Sequence, residues 1–312
     1  GLALRRPFTR RKAAQGSSRP VGDFLDWLSR GWNVPSSPEA SGEARTAIVI
    51  PTRDRLELLR ACIASIEPTL PTGSEIIIVD NESVEAETLA FLRDFANRPL
   101  RQVLHAPGPF NFSKLCNAGA RATEARLLVF LNNDTTVLAL DWVSRLCDFA
   151  LRPDCGAVGA RLLYPSGRVQ HAGVALGVGG YAGHVDLHIP GDADGQFERA
   201  RHDHMLLAVT GACLAVERAK FEAVGGFDEQ NLPVDLNDID LCLRLGEKGW
   251  RTIYAARAEL VHHESASRGR KAGSPRYRKE KAYFAARWRA ARRADPHFHP
   301  ALSLLLTRPS LG

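Results

Sequence analysis

Apolar and polar positions along this chain come in blocks. Thr46-Ala47-Ile48-Val49-Ile50, Glu75-Ile76-Ile77-Ile78-Val79 and Leu127-Leu128-Val129-Phe130-Leu131 are nearly continuous apolar runs, too short for helices. Such runs predict strands buried on both faces. Between them, Arg55 to Ile66, Val84 to Phe95 and Ser113 to Ala122 carry apolar side chains at helical intervals, and Leu100 to Leu104 is a weaker strand. Strands alternating with helices predict an α/β fold: a mainly parallel central sheet with helices on both faces.

The second half is less regular. Helices are expected over Asp141 to Ala150, Glu217 to Val224 and Asp238 to Lys248, and strands over Ala157 to Ala160, Arg251 to Ala255 and Ala258 to Val261. The glycine-rich stretch Ala172 to Gly183 reads as a loop or an irregular hairpin. A short aromatic helix, Asp23 to Trp32, precedes a Pro/Ser/Gly/Glu-rich linker. Three segments follow: an N-terminal extension over 1–44, an α/β domain over 45–268 and a basic, partly helical C-terminal extension over 269–312.

Composition narrows the class. The 312 residues suffice for one large domain or two small ones, and 45% apolar content suffices for a buried core. No apolar run reaches the roughly 18 residues that a membrane span needs. The six cysteines, at 62, 116, 147, 155, 213 and 242, show no Cys-x-x-Cys spacing. Buried reduced thiols in a cytoplasmic protein are expected, not a zinc site or a disulfide framework. Arg5, Arg6, Arg10, Arg11 and Lys12 have no apolar core after them, so they do not make a secretory signal. Gly at position 1 is compatible with a piece of a longer protein.

The net charge of +6 is unevenly placed: Arg268 to Arg293 holds eleven Lys or Arg and one acid, Glu280, leaving 30 basic and 34 acidic residues elsewhere. Around Tyr283, Phe284 and Trp288 this basic tail has three readings. It can lie on an anionic membrane surface, make a solvated helix, or bind nucleic acid, the last being the least favoured.

The candidate chemistry sits where strands end. Asn132-Asn133-Asp134 follows the third apolar run, Pro51-Thr52-Arg53-Asp54 the first and Asp80-Asn81 the second. Polar residues at the carboxyl edge of an open α/β sheet form a crevice suited to a nucleotide. Amide and carboxylate oxygens there suit Mg or Mn, although Asn-Asn-Asp alone is also an ordinary turn. No Gly-x-Gly-x-x-Gly and no Gly-Lys-Ser/Thr loop follows the first strand, which counts against dinucleotide oxidoreductases and P-loop enzymes.

Three further stretches are weaker signals. Ser113 is a candidate N-cap, with Lys114 and Asn117 one turn apart, either facing a diphosphate or belonging to a capped surface helix. His262-His263 can ligate a metal or serve structure. In Asn237-Asp238-Ile239-Asp240 one acid can enter a cleft while the other caps or pairs with Arg244.

Taken in order, six stretches resemble family 2 glycosyltransferases of the GT-A fold, particularly bacterial enzymes of surface-polysaccharide or O-antigen synthesis. They are Ile48 to Arg55, Ile78 to Ser83, Phe112 to Asn117, Phe130 to Asp134, Gly225 to Glu229 and Asn237 to Leu241, within roughly residues 45 to 268. The resemblance implies a GT-A domain using a nucleoside diphosphate sugar, a divalent Mg or Mn ion and a glycan or lipid-linked acceptor. Asp134 and His262 would hold the metal, with His263 the lesser candidate. Pro51, Thr52, Arg53, Asp80, Lys114 and Asn133 would meet the donor, and Asp238 would be the general base of an inverting reaction. Asn132 and Asn237 stand where the family more often has acids. The tail would reach the cytoplasmic membrane face peripherally, and nucleic acid would not be a partner. Two alternatives remain: a non-catalytic sugar-nucleotide or glycan-binding module, and a sugar nucleotidyltransferase, which would be expected to carry a glycine-rich basic phosphate loop after the first strand.

Overall fold

The computed structural model describes residues 44–263 and 274–298. The Asp23 to Trp32 helix, the linker and the stretch from Glu264 to Gly273 lie outside the described residues. Helices are α1 (Leu56–Ile66), α2 (Ala86–Ala96), α3 (Phe112–Arg121), α4 (Trp142–Ala150), α5 (Arg218–Ala223), α6 (Asn237–Glu247) and α7 (Pro275–Arg287). The longer strands are β1 (Thr46–Thr52), β2 (Glu75–Asp80), β3 (Arg101–His105) and β4 (Leu127–Leu131). With them run β6 (Cys155–Leu163), β11 (Cys213–Glu217) and β12 (Arg251–His262). Short strands are β5 (Thr135–Val137), β7 (Val169–His171), β8 (Val174–Leu176), β9 (Ala182–His184) and β10 (His204–Leu206).

The main sheet runs β10-β12-β6-β11-β4-β1-β2-β3. β3, β2, β1 and β4 are mutually parallel, and β12 is parallel to β6. β11 runs antiparallel between β4 and β6, and β10 runs antiparallel to β12. The carboxyl ends of β1, β2, β4 and β12 therefore share one edge.

The apolar runs are continuous because each strand feeds two cores. Ala47, Val49, Ile77, Val79, Leu128 and Phe130 face one layer, with α3, α6 and α7 supplying Leu115, Leu241 and Phe284. Ile48, Ile50, Ile76, Ile78, Val129 and Leu131 face the other, with α1 and α4 supplying Leu59, Ile66 and Trp142. Period-two alternation assigns successive residues to opposite faces. Glycine lets α3 lie close to the sheet, since a Cβ at Gly119 would collide with the Val49 side chain.

Several expected boundaries move. Arg251 to Ala255 and Ala258 to Val261 are one strand, β12, whose register on β6 shifts between Ala255 and Glu259. Ala157 to Ala160 is the middle of the nine-residue β6. Glu217 closes β11, so the expected helix begins at Arg218. Ser113 is not the cap of α3: the Asn111 side chain accepts from Lys114 N at 2.8 Å, while Ser113 Oγ, fully buried, donates to Leu232 O at 2.6 Å. The glycine-rich stretch holds the hairpin of β8 and β9.

The basic tail is also partly core. Phe284 and Trp288 are buried against the domain, while Arg278, Lys279, Arg289 and Arg293 remain exposed. Among the described residues no helix is long and apolar enough to cross a membrane.

Candidate active site

Parallel pairing of β1 with β2 sets Thr52 beside Asp80, and Asn81 N donates to Thr52 O at 2.8 Å. The Asp80 carboxylate is buried and braced: Oδ1 accepts from Ser83 N (3.1 Å) and Ser83 Oγ (2.5 Å), and Oδ2 lies 3.4 Å from His105 Nδ1. Asp54 Oδ1 in turn accepts from Val84 N and Glu85 N at 2.8 and 2.9 Å. Three residues of these two loops, Asp54, Arg55 and Glu82, hold positive φ near +50 to +59°. Left-handed backbone at side-chain-bearing residues persists only where the surroundings over-determine it, and it concentrates at functional sites. Pro51 and Thr52 are buried at this sheet edge, and Arg53 is exposed beside them.

The turn after β4 reaches both neighbours. Asn133 Nδ2 donates to Thr52 Oγ1 at 2.8 Å, tying the turn to the β1 end. Asp134 Oδ1 lies 3.1 Å from His262 Nε2, since β5 pairs with the end of β12 and sets Thr135 opposite His262. Asn132 Nδ2 is also 3.1 Å from His262 Nε2. The other ring nitrogen, Nδ1, lies 2.6 Å from Gln170 Oε1 on β7, while Gln170 Nε2 donates to His262 O at 3.3 Å. A carboxamide oxygen accepts only, so the Nδ1–H of His262 donates to Gln170, and the ring is held with Nε2 facing the Asp134 carboxylate. His263 sends its ring elsewhere, toward Thr136 Oγ1 at 3.5 Å, and its backbone N donates to Asp134 O.

Asp134 and His262 together form the donor set a divalent ion can use: one hard carboxylate and one oriented imidazole. Among the described residues no cluster of three or more His, Cys, Asp or Glu could hold a metal unaided. Two protein ligands suit Mg or Mn that shares its remaining positions with substrate phosphate and water.

Asp238 occupies the first turn of α6, half-buried, where its Oδ2 accepts from Gly211 N at 2.7 Å and its Oδ1 from Ile239 N at 2.8 Å. Glycine suits position 211, because an added Cβ would stand 3.2 Å from Asp238 Cβ. The adjoining Ala212 O accepts from Asn132 N at 3.0 Å. Residues 210–212 are thus a strap joining the Asn132-Asn133-Asp134 turn to Asp238. Asp240 points away from it, paired with Arg244 Nε at 2.7 Å and accepting from Trp288 Nε1 at 2.8 Å. Asn237 is buried and donates to Ser113 Oγ at 3.0 Å.

Lys114 is exposed on the first turn of α3. Asn117 does not join it: it is buried, donating to Phe227 O and Glu229 Oε1 and accepting from Phe227 N, so it fastens the Gly225 to Glu229 loop. Gln170 is the site residue that sequence reasoning missed. No motif marks it in the sequence, and only the fold brings β7 behind His262.

Comparison with known proteins fits this geometry. The profile described as "Glycosyl transferase family 2" matches residues 47–205, half of the chain. The chain belongs to glycosyl transferase family 2. It is 38% identical over 268 residues to the "O-antigen biosynthesis protein RfbC" of Myxococcus xanthus, covering 85% of this chain and 21% of that protein. It is 44% identical over 269 residues to the "Uncharacterized protein y4gI" of Sinorhizobium fredii (strain NBRC 101917 / NGR234), covering 84% and 30%. The chain therefore spans less than a third of the length of these two relatives. An "N-acetylglucosaminyl-diphospho-decaprenol L-rhamnosyltransferase" of Mycobacterium tuberculosis is 33% identical over 136 residues, 41% of this chain and 44% of that one.

Among solved structures, the mannosyltransferase PcManGT from Pyrobaculum calidifontis, in complex with GDP-Man and Mn2+, superposes with a TM-score of 0.59 at 18% identity, covering 89% of this chain and 73% of that one. GalNAc-T7 with UDP, GalNAc and Mn2+ gives 0.58 at 16%, covering 71% and 44%. The fold is that of the GT-A glycosyltransferases.

Proposed function

We propose that the chain is the donor-binding and catalytic domain of an inverting glycosyltransferase of surface-polysaccharide synthesis. It would move a hexosyl or deoxyhexosyl unit from a nucleoside diphosphate sugar to a hydroxyl of a glycan or lipid-linked acceptor. One observation carries the reading: a single strap, residues 210–212, bonds the Asn132-Asn133-Asp134 turn through Ala212 O and the Asp238 carboxylate through Gly211 N. A carboxylate is thereby fixed beside a donor crevice.

In the proposed reaction Pro51, Thr52, Arg53 and Asp80 receive the base and ribose, and Asn133 holds the turn against Thr52. A Mg or Mn ion bound by Asp134 and His262 would supply positive charge to the diphosphate. Asp238 takes the proton of the acceptor hydroxyl while that oxygen attacks the anomeric carbon from the face opposite the diphosphate. The bond from that carbon to the phosphate oxygen breaks, its electron pair leaves with the diphosphate, and Lys114 approaches the charge that develops there. An α-linked donor would give a β-linked product.

The O-antigen and rhamnosyltransferase relatives support this substrate class, and the UDP and GDP-Man complexes of the structural neighbours support the donor class. The proposed site of action is the cytoplasm. The exposed arginines and lysines of the tail give peripheral membrane contact a purely electrostatic basis, each worth about 1 kcal/mol near an anionic surface.

Thermal stabilisation by a panel of nucleoside diphosphate sugars, hexose and deoxyhexose, with and without Mn, tests the proposal. A ligand bound by the folded state alone raises apparent stability with occupancy. One donor should stabilise only with metal and should then yield a glycosylated acceptor. Pyrophosphate release from a nucleoside triphosphate and a sugar phosphate would indicate a nucleotidyltransferase, and metal-dependent donor binding without turnover in the intact protein would indicate a binding module.

A further inference from the structure

Helix α6 begins without a side-chain cap, and the residue before it, Leu236, holds φ 64°. Upstream, Val234 N and Asp235 N are two successive backbone donors that no strand or helix pairs. Both donate to one atom, Glu280 Oε2, at 3.0 and 2.6 Å. Glu280 lies on α7 and is 1% exposed. Arg276, one turn earlier on α7, reaches Glu280 Oε1 at 3.5 Å and Asp235 Oδ2 at 3.6 Å. Two turns beyond Glu280, Trp288 Nε1 donates to Asp240 Oδ1 at 2.8 Å, and Phe284 between them is fully buried. The tail helix therefore grips the chain on both sides of Asp238, at 234–235 before it and at 240 after it.

On the reading of Asp238 as the base, we infer that Glu280 is its positioning residue: α7 fixes the entry to α6 so that Asp238 stays on the strap at Gly211. The bonds that brace Thr52 and Asp80 run to Asn133 and Ser83, and those of the pair Asp134 and His262 run to each other and to Gln170, residues that lie outside α7. Loss of the Glu280 grip should consequently disturb the reaction and leave donor binding intact. Placement of a reacting group is sensitive to reach: an error of about 1 Å can cost on the order of a hundredfold in rate.

Reach and charge can be separated at this residue. Glu280→Gln keeps the length and one oxygen able to accept both N–H groups. Glu280→Asp keeps the charge and withdraws the carboxylate by one methylene. Each variant is compared with the native chain for kcat, donor KM and calorimetric affinity for the nucleoside diphosphate with Mn, at a temperature where circular dichroism finds all of them folded. The expected result is that Glu280→Asp lowers kcat roughly tenfold or more, with donor KM and affinity unchanged, while Glu280→Gln stays near native kcat. Native kcat in Glu280→Asp would overturn the inference, as would equal losses in both variants or a parallel loss of donor affinity. Asp238→Asn serves as control. If its turnover is native, the base assignment itself fails; if it is inactive while Glu280→Asp is native, only the positioning role fails.

Discussion

His262 illustrates how a single side chain acquires a function from its neighbours. The Gln170 carboxamide oxygen, 2.6 Å from Nδ1, fixes the orientation of the ring and aims Nε2 at Asp134. Replacing Gln170 with Ala frees the ring to rotate while leaving both proposed ligands in place. Manganese affinity, titrated in the presence of nucleoside diphosphate, should then fall about 10- to 100-fold, and unchanged affinity would contradict the orienting role. Asp134→Ala should abolish the metal dependence of donor binding altogether, which the same calorimetry reads. Asn132 and Asn237, where acids are commoner in the family, each carry a hydrogen bond that fastens local structure, to His262 and to Ser113. At Asn132 the substitution keeps a donor beside the imidazole without adding a second negative charge.

Asn117 shows the same economy one level up, where a helix holds a loop. It makes three hydrogen bonds to Phe227 and Glu229, and a Cβ at Gly226, whose φ is +71°, would stand 2.6 Å from its Oδ1. Phe227 packs edge-on to Phe112 and Phe130. Asn117→Ala should leave buried polar groups unpaired and cost about 1–3 kcal/mol in urea denaturation; a loss below measurement error would mean the loop is held by the aromatic packing alone.

Strands β1, β2 and β4 and helices α1 to α4 were legible from periodicity because each buries a face through local pattern. Pattern also located the polar strand ends at Thr52, Asp80 and Asn133. It could not find β5, β7 or β10, three-residue strands whose pairing depends on partners far along the chain. For that reason Gln170 stayed hidden. Ser113 and Asn111 are both good caps by residue type, and only the packing of Ser113 against Leu232 decides between them.

The chain folds its own tail into the body: Phe298 joins Ala175, Val178 and Val185, and Asp295 Oδ2 accepts from Leu176 N at 2.9 Å. Burial there and beneath the hairpin leaves titratable groups that report on the entire fold. Burial holds His171 and His204 well below 6.5 and pushes His297 down to about 4. The unfolded chain binds protons on these rings at pH values where the folded chain does not. Their stability is therefore complete above about 6.5 and is lost as pH falls. Asp295, pushed up to about 6 by burial, acts in the opposite sense, because the folded state takes its proton first and acidification from 6 toward 3.8 favours folding. Three imidazoles opposed by two carboxyls, Asp295 and Glu280, the latter also pushed up by burial, leave a net loss, with each uncompensated histidine contributing up to about 1.4 kcal/mol per pH unit. The urea midpoint should drop between pH 7 and pH 5, and His297→Gln should flatten that slope. A midpoint that rises on acidification would contradict these assignments.

The proposed division of the site into a donor half and a base half, joined at residues 210–212, can be separated by one substitution. Asp238→Asn keeps size and shape while removing the proposed proton acceptor, so steady-state transfer and calorimetric binding of nucleoside diphosphate with Mn are measured side by side on this variant and on the native chain. Transfer should fall by at least about a hundredfold, the scale of general base catalysis, with nucleotide affinity unchanged. Turnover close to native, or loss of nucleotide binding together with transfer, would contradict that division.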